Sequence, residues 1–178
     1  ANDAGADFVG SDELVEKGAV WEDSVAELSA KSDVIITIVG FPKDVEEVFL
    51  GHGGILNHAK AGSVVVDMTT SSPALAKKLF ETGREKEIAS LDAPVSGGDL
   101  GARNATLSIM VGGEKGAFDT VLPLFEVMGK NIFFQGPAGS GQHTKMVNQI
   151  AIASGMVAVC EAISYARKAG LDPEKVLE

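Results

Sequence analysis

The sequence predicts an α/β fold in which a mostly parallel sheet carries helices on both faces and is followed by a long helix. Three observations predict this fold. Continuous apolar, β-branched runs such as 34–39 and 63–67 are typical of strands that are covered on both faces. Segments with helical spacing lie between these runs, and this alternation is the pattern of α/β folds. After residue 139 the sequence becomes apolar on nearly every side of a helix.

The first thirty residues precede the first buried strand. Residues 1–10 show little periodicity, and we expect an irregular start. Residues 11–18 run from a serine cap to a glycine, which predicts a short helix. Residues 19–21 predict a brief strand in which Trp21 packs against the core, and Ser24 then caps a second helix.

Strands and helices alternate through the rest of the sheet region. β-branched runs indicate the strands, while serine caps, a first-turn proline and glycine stops delimit the helices. The expected strands, in chain order, are 34–39, 63–67, 88–92, 106–111 and 131–135. The expected helices between them are 43–50, a short helix after the turn at 51–54, 73–87 and 115–128. A long loop is expected over 93–105.

A long helix is predicted to begin just after Gly139 and to end before Gly170, a common helix stop. From Ile150 to Cys160 the sequence is apolar on nearly every face, so we expect this helix to be buried. Cys160 is then a small core residue. The apolar run, about eleven residues, is too short to span a bilayer. A further helix is expected to start at 172–174.

Length and charge limit the classes of function. The chain has 178 residues, enough for a sheet domain over 1–137 and, over 138–178, a long helix and the start of another domain. The formal net charge of −10 argues against nucleic acid and anionic membranes as partners. A single cysteine and the lack of a secretory leader at the start favour a cytoplasmic location. No histidine, cysteine and aspartate spacing predicts a metal site.

Lys145 is the first candidate for chemistry, because lysine is seldom placed at the start of a buried helix. At about 100° per residue, Lys145 shares one helix face with Asn148 and Gln149. Partial burial would lower the pKa of the amine and suit it for proton transfer beside two amides. The alternative is a lysine whose amine simply reaches water.

Turns at the ends of strands provide further candidates, because ligands of open parallel sheets bind beyond the carboxyl ends of the strands. Three such turns are rich in small and polar residues, at 39–42, 69–72 and 92–98. In the second turn, Thr70 or Ser71 could donate a hydrogen bond to a ribose or a phosphate. The alternative is that both hydroxyls only cap the following helix.

The third turn contains the tripeptide Ser96-Gly97-Gly98. Paired glycines allow backbone N–H groups to converge on an anion, and the serine adds a hydroxyl, so the turn predicts a carboxylate or phosphate site. The alternative is a flexible surface turn. Asp92 is a candidate general base, but we expect it instead to fix the loop through backbone hydrogen bonds.

Three motifs occur in order: Asp92-Ala-Pro-Val-Ser-Gly-Gly98, Leu107-Ser-Ile-Met-Val-Gly-Gly113 and Gly139-x-Gly-x-x-x-Lys145-x-x-Asn148. With them the chain resembles the β-hydroxyacid dehydrogenases, especially those similar to 3-hydroxyisobutyrate dehydrogenase and tartronate semialdehyde reductase. The resemblance covers nearly all of residues 11–178. It implies a Rossmann-type domain that binds NAD or NADP, a long interdomain helix, and a helical C-terminal domain that completes the site and dimerises.

The resemblance also implies roles for individual residues. Lys145 matches a catalytic lysine that moves the hydroxyl proton while hydride passes between nicotinamide C4 and the carbinol carbon of a short-chain β-hydroxyacid or its semialdehyde. The residues that match the substrate site are Ser96, Gly97, Gly98, Asn148 and Gln149. Those that match the cofactor site are Val39, Gly40, Phe41 and Thr70.

The chain departs from the family pattern at both ends and beside the lysine. No Gly-x-Gly-x-x-Gly fingerprint precedes the first strand and no helical domain follows Glu178, so we expect an internal piece that is inactive alone. Gln149 stands where family members commonly carry a second asparagine. A small hydroxyacid and a homo-oligomer, dimer or tetramer, are the implied partners, with neither the hydroxyacid nor the choice of NAD or NADP determined.

Two alternatives are left open. 6-Phosphogluconate dehydrogenase has a related Ser-Gly-Gly loop and lysine, but it usually follows that lysine with a His-Asn pair where this chain has Asn148-Gln149. It also needs basic residues for a phosphate. A non-catalytic dinucleotide-binding or assembly domain would keep the fold without turnover, and the retention of Lys145 with the Ser-Gly-Gly loop argues against it.

Overall fold

The computed structural model of the chain describes Glu16 and residues 18–177. The irregular start expected at 1–10, and all but Glu16 and Gly18 of the helix expected at 11–18, lie outside the described residues. The strands that this part of the chain forms are β1 (Val34–Thr37), β2 (Val64–Asp67), β3 (Ala89–Asp92), β4 (Val95–Ser96), β5 (Leu107–Gly112) and β6 (Gly129–Gly136). The helices are α1 (Val25–Lys31), α2 (Pro42–Leu50), α3 (Ile55–His58), α4 (Pro73–Arg84), α5 (Gly98–Arg103), α6 (Lys115–Glu126), α7 (Ser140–Lys168) and α8 (Pro173–Leu177).

Local sequence signals set the starts of two of these helices. Ser24 caps α1 by accepting a hydrogen bond from the backbone N–H of Glu27 at 3.1 Å. Ser72 caps α4 in the same way through the N–H of Leu75, and proline occupies the first turn. Proline is tolerated there because a backbone N–H in the first turn has no acceptor within the helix, so its absence removes no helical hydrogen bond.

Residues 19–21 do not form the predicted strand. Trp21 is 64% exposed, so the prediction that it packs against the core is also wrong. Its indole N–H donates to Asp23 Oδ1 at 2.9 Å, which satisfies the polar edge of the ring locally. Apolar character identified this segment, but a strand also needs a hydrogen-bonded neighbour, and β1 pairs only with β2 within the described residues.

All six strands belong to one sheet. β1, β2 and β3 run parallel, with Val34 opposite Val64 and Val64 opposite Ala89. β5 lies antiparallel to β3 and β4, and β6 returns parallel to β5. The predicted mostly parallel, Rossmann-type sheet is therefore confirmed, with one antiparallel step in its middle.

β3 and β4 form one interrupted strand along β5. Asp92 pairs with Gly112 and Ser96 pairs with Ser108, which is the same antiparallel register. Between them the carbonyl of Pro94 still accepts from the N–H of Met110 at 3.1 Å. The long loop expected over 93–105 is therefore a strand continuation followed by α5. Proline lacks an N–H but keeps its carbonyl, so it interrupts the ladder on one side only.

The core lies on both faces of the sheet, as the continuous apolar runs predict. Val64 and Val66 pack into the cluster that contains Phe118 and Phe125 of α6. Val65, between them, packs into the opposite cluster with Phe49 of α2. Successive side chains of a strand point to opposite faces, so the three consecutive valines of β2 supply apolar side chains to both.

α7 is packed against the sheet only at its beginning. Its buried residues are Gly141, Gln142, Lys145 and Ala166. Ile150 and Val157 are each 61% exposed, and Cys160 is exposed. The predictions of a buried helix and of a core cysteine are therefore wrong for this stretch. Apolar composition marks a surface that packs against something, but the described residues place nothing over the middle of α7.

The length of α7 also corrects the prediction about membranes. The helix has 29 residues, with a mean hydropathy of 1.6 over its most apolar 18. By length and composition alone it could cross a bilayer, contrary to the expected limit of eleven residues. A helix that is covered by other protein segments passes the same test, so the observation carries little weight by itself.

Candidate active site

Lys145 lies in the second turn of α7 and is 8% exposed. Its Nζ donates to the carbonyl oxygen of Val95 at 2.8 Å. That carbonyl belongs to the peptide group that leads into Ser96, so the amine lies directly beside the predicted anion-binding turn. Burial lowers the pKa of Lys145, because the charged form loses hydration. The amine is therefore not extended into bulk water.

The Ser96-Gly97-Gly98 turn has a backbone that favours glycine. Gly97 has a φ of +137° and Gly98 a φ of +62°, both in the region that side chains disfavour. A Cβ on Gly97 would also lie 3.2 Å from the side chain of Leu107. Ser96 is half-buried, while the two glycines are exposed. β4 and α5 thus support a turn whose backbone is open to a ligand.

Asp92 anchors the start of the helix that carries Lys145. Its Oδ1 accepts from the N–H of Gly139 at 2.7 Å, and its Oδ2 accepts from the N–H of Gln142 at 2.8 Å. Gly139 is the N-cap of α7 and Gln142 lies in its first turn, where N–H groups have no partner within the helix. Burial raises the pKa of Asp92, while these backbone hydrogen bonds lower it. The prediction that Asp92 accepts hydrogen bonds from backbone N–H groups is thus confirmed. These N–H groups belong to the start of α7, however, and not to the loop after β3.

The second glycine of the Gly-x-Gly turn permits this close approach. A Cβ on Gly141 would lie 2.5 Å from the carbonyl oxygen of Asp92 and 2.9 Å from its Oδ2, and it would also meet the carbonyl oxygen of Met110. Those distances are shorter than van der Waals contact. Only glycine therefore lets α7 start against the ends of β3 and β5.

The residues assigned to the cofactor lie in the turns after β1 and β2. The N–H of Val39 donates to Thr69 Oγ1 at 2.9 Å, which ties the two turns together. Gly40 and Phe41 are exposed, and Phe41 begins α2 with its N–H donating to Asp44. Thr70 is exposed immediately after the buried Thr69. The structure therefore brings these residues to the carboxyl edge of the parallel strands, where ligands of such sheets bind.

Gln142 is a residue that the sequence analysis did not single out. It is 2% exposed, its Nε2 donates to the carbonyl of Thr69 at 2.7 Å, and its Oε1 accepts from the N–H of Ser71 at 2.8 Å. The sequence offered one signal for it, a long polar side chain directly after the Gly-x-Gly turn that starts an apolar helix. Its partners, about seventy residues away in the chain, could not be read from that signal.

The two predicted amides lie one turn beyond the lysine. Asn148 is half-buried, and its Nδ2 donates to Gln149 Oε1 at 3.3 Å. Gln149 is exposed. Asn148 therefore continues the face of Lys145, whereas Gln149 lies at its margin. His143, on the other side of the helix, is exposed and does not approach the amine.

Two family models match the chain and together cover most of it. Residues 9–136 match the model described as the NAD binding domain of 6-phosphogluconate dehydrogenase. Residues 139–178 match the model described as NAD-binding of NADP-dependent 3-hydroxyisobutyrate dehydrogenase. The two matches meet at residues 137–138, at the end of the sheet.

Individual relatives agree with these models. An uncharacterized oxidoreductase of Bacillus subtilis, YkwC, is 60% identical over 94% of this chain and 58% of its own length. The 2-hydroxy-3-oxopropionate reductase of Escherichia coli is 44% identical over 93% of this chain and 57% of its own. The structure of Mycobacterium tuberculosis 3-hydroxyisobutyrate dehydrogenase with L-serine superposes with a TM-score of 0.83 and 31% identity, over 91% of this chain and 55% of that one.

The chain thus spans little more than half the length of the relatives that it matches. Over that length the resemblance inferred from the three motifs is confirmed by both family models and by the named relatives. The chain belongs to the β-hydroxyacid dehydrogenase family.

Proposed function

We propose that this chain carries the catalytic lysine, the substrate loop and part of the cofactor site of an NAD(P)-dependent oxidoreductase that acts on a short-chain β-hydroxyacid or its semialdehyde. The observation that supports it best is the 2.8 Å hydrogen bond from Lys145 Nζ to the carbonyl of Val95, next to Ser96. The similarity to 2-hydroxy-3-oxopropionate reductase and 3-hydroxyisobutyrate dehydrogenase supports the substrate class.

NAD or NADP fits the turns after β1 and β2. Thr70 presents an exposed hydroxyl there, and the buried Ser71 Oγ has no hydrogen-bond partner among the described residues. A Cβ on Gly40 would lie 3.2 Å from Asp44 Oδ2, so the turn after β1 favours glycine at this position. When bound, the nicotinamide supplies the hydride acceptor for oxidation and the hydride donor for reduction. We assign Val39, Gly40, Phe41 and Thr70 to this cofactor site, with Thr70 at its nicotinamide end.

Lys145 would carry the proton. In oxidation, the neutral amine takes the proton of the substrate hydroxyl as the carbinol C–H bond gives up its hydride and the C=O bond forms. In reduction, the ammonium returns that proton to the oxygen. The lowered pKa of Lys145 makes the neutral amine easier to reach, and the Val95 carbonyl holds Nζ in place.

The substrate would lie between the lysine and the Ser96-Gly97-Gly98 turn. We assign its carboxylate to the Ser96 hydroxyl and to the backbone of the two glycines, because oxygen anions are commonly bound by such turns. Asn148 would orient the substrate beside Lys145, with Gln149 at the margin. A short β-hydroxyacid has its hydroxyl two carbons from the carboxylate carbon, so a compact site can hold both groups.

A 6-phosphogluconate dehydrogenase function is the second candidate, because residues 9–136 match that family model. The Asn148-Gln149 pair after the lysine and the net charge of −10 argue against it. A non-catalytic domain would not need a buried amine beside an open Ser-Gly-Gly turn. Assays with both 6-phosphogluconate and short hydroxyacids distinguish these functions.

The proposal extends to the state of the whole protein. Residues 1–178 alone are expected to lack turnover, because the described residues contain no Gly-x-Gly-x-x-Gly turn for the pyrophosphate.

We divide the chain into a partial cofactor domain over 1–137 and the helical part over 138–178. We further propose a cytoplasmic homo-oligomer, whose negative charge disfavours binding to nucleic acid and to anionic membrane surfaces.

The test is an assay of the complete polypeptide that carries this chain. The panel is 3-hydroxyisobutyrate, tartronate semialdehyde, glyoxylate, succinic semialdehyde and 6-phosphogluconate, each with both dinucleotides. We expect activity on a short hydroxyacid or semialdehyde, and a loss of kcat/KM of about 10²–10⁴-fold in Lys145→Ala. The matched control is His143→Ala, which alters an exposed residue of the same helix turn. Lys145→Ala activity within tenfold of the wild type would contradict the assignment.

A further inference from the structure

Gln142 is bonded at both ends of its side-chain amide, and its two partners flank Thr70. Nε2 donates to the Thr69 carbonyl at 2.7 Å, and Oε1 accepts from the Ser71 N–H at 2.8 Å. An amide that uses its donor and its acceptor at once has one orientation only. A single side chain therefore fixes the backbone on both sides of Thr70.

Gln142 also belongs to a wider polar network. Its own backbone N–H donates to Asp92 Oδ2 at 2.8 Å, at the end of β3. Thr69, which it holds, accepts from the N–H of Val39 at 2.9 Å through Oγ1 and donates its own N–H to Asp67 Oδ1 at 3.0 Å. The turns after β1, β2 and β3 are thus all joined at the first turn of α7.

The position of Gln142 along α7 gives this network its significance. Lys145 follows one turn later on the same rigid helix, and its Nζ is held by Val95. A helix transmits position along its axis because backbone hydrogen bonds join each turn to the next. The place of Thr70 relative to Lys145 is therefore defined by one glutamine side chain and three residues of helix.

We propose that Gln142 is a positioning residue that sets the Thr70 turn, and with it the nicotinamide end of the cofactor, at a fixed place relative to the Lys145 amine. This inference rests on the proposed function. Gln142 touches neither substrate nor cofactor in this role. Its effect passes through the backbone of Thr69 and Ser71, and misplacement of reacting groups by about 1 Å can cost on the order of 100-fold in rate.

The test uses Gln142→Met in the complete polypeptide, because methionine has a similar length and cannot make either hydrogen bond. We expect a higher KM for the dinucleotide and a nearly unchanged KM for the hydroxyacid. We also expect kcat to fall by roughly 10–100-fold, and the isotope effect with hydroxyacid deuterated at the carbinol carbon to increase, because hydride transfer becomes slower. The matched control is Gln135→Met, the same substitution at an exposed position of β6.

A second variant, Gln142→Glu, separates positioning from general stability. A protonated glutamic acid offers the same donor and acceptor as glutamine, whereas the carboxylate cannot donate to the Thr69 carbonyl. Burial raises the pKa of such an acid. We therefore expect the ratio of Gln142→Glu activity to wild-type activity to rise as the pH falls, while the ratio for Gln142→Met stays flat.

Each outcome decides the inference. A Gln142→Met protein that melts earlier but keeps both KM values and the isotope effect would show that the amide only stabilises the fold. If Gln142→Met does not fold, the pH dependence of Gln142→Glu decides, and a flat ratio overturns the proposal. If the wild type turns over no substrate of the panel, the proposed function fails. The NADH affinities of wild type and Gln142→Met then still test the positioning, and equal affinities contradict it.

Discussion

The carboxylate of Asp92, at the end of β3, accepts a hydrogen bond from the backbone N–H of Gln142, in the first turn of α7, at 2.8 Å. Its other oxygen accepts from the N–H of Gly139 at 2.7 Å. The helix that carries Lys145 therefore begins on a side chain of the sheet, only four residues before the Ser96 turn. One short segment of chain thus fixes both the proposed catalytic amine and the proposed substrate loop.

Asp92→Asn should lower the free energy of unfolding by about 1–3 kcal/mol. Asparagine keeps one oxygen acceptor but presents an NH₂ group to the other backbone donor, which is then buried without a partner. Urea denaturation measures the effect. Asp119→Asn is the control, because Asp119 forms an exposed ion pair with Lys115 one turn away in α6, and such pairs contribute little. Equal stability of the two variants would contradict the anchoring role.

Gly141→Ala should destabilise the fold by about 1–3 kcal/mol or more, because the added Cβ would overlap the carbonyl and carboxylate of Asp92. Gly155→Ala, in the exposed middle of the same helix, is the matched control. Nothing lies within 4 Å of its added Cβ, so it should stabilise the helix by about 0.5–1 kcal/mol. Thermal melts of the pair report opposite signs if α7 starts as described.

Stability should rise with pH in a way that depends on Lys145. The pKa of Lys145 in the folded chain lies below its ordinary value of 10.5, so between these two values the unfolded chain binds more protons. The free energy of unfolding then increases as the pH rises through that interval. Urea midpoints across the interval should show a smaller rise for Lys145→Met than for the wild type. Parallel slopes would mean that the amine is hydrated in the folded chain.

The exposed apolar surface of α7 should cause self-association. Ile150, Met156 and Val157 are each 61% exposed, and large contiguous apolar surfaces of this kind are normally interfaces. Sedimentation of residues 1–178 should show an average mass that grows with concentration, and Val157→Glu should reduce it. Val127→Glu, at the still more exposed residue that follows α6, should leave the mass unchanged. A strictly monomeric wild type would remove this argument for an oligomer.

The sheet was predictable because a strand covered on both faces, such as β2, needs apolar side chains on both. A continuous run of β-branched residues shows this in the sequence itself. The end of β3 at Asp92 was predicted as well, but β4 was not. Pro94 and the small residues around it hide a strand whose pairing depends on β5, which comes later in the chain. Local sequence reports propensity, while pairing is decided by tertiary neighbours.

Candidate site residues could be chosen from the sequence where they belong to a motif. Those that depend on contacts between distant parts of the chain could not. Lys145 and Ser96 were chosen from their motifs, and the structure brings them together through Val95, although their roles remain proposals. The contacts of Gln142 join positions about seventy residues apart, which no local pattern contains. The exposure of Cys160 was not predicted, because hydropathy identifies an apolar surface but does not show which segment packs against it.

Chemical rescue of Lys145→Ala by small primary amines tests the assignment of the proton-transfer group most directly. The complete polypeptide with this substitution is assayed in the oxidation direction with increasing methylamine, at several pH values. We expect the rate to grow in proportion to the concentration of neutral amine, because a free base can occupy the space left by the side chain and take the hydroxyl proton. A variant that still binds NADH and hydroxyacid but gains nothing from any amine would contradict the role of Lys145.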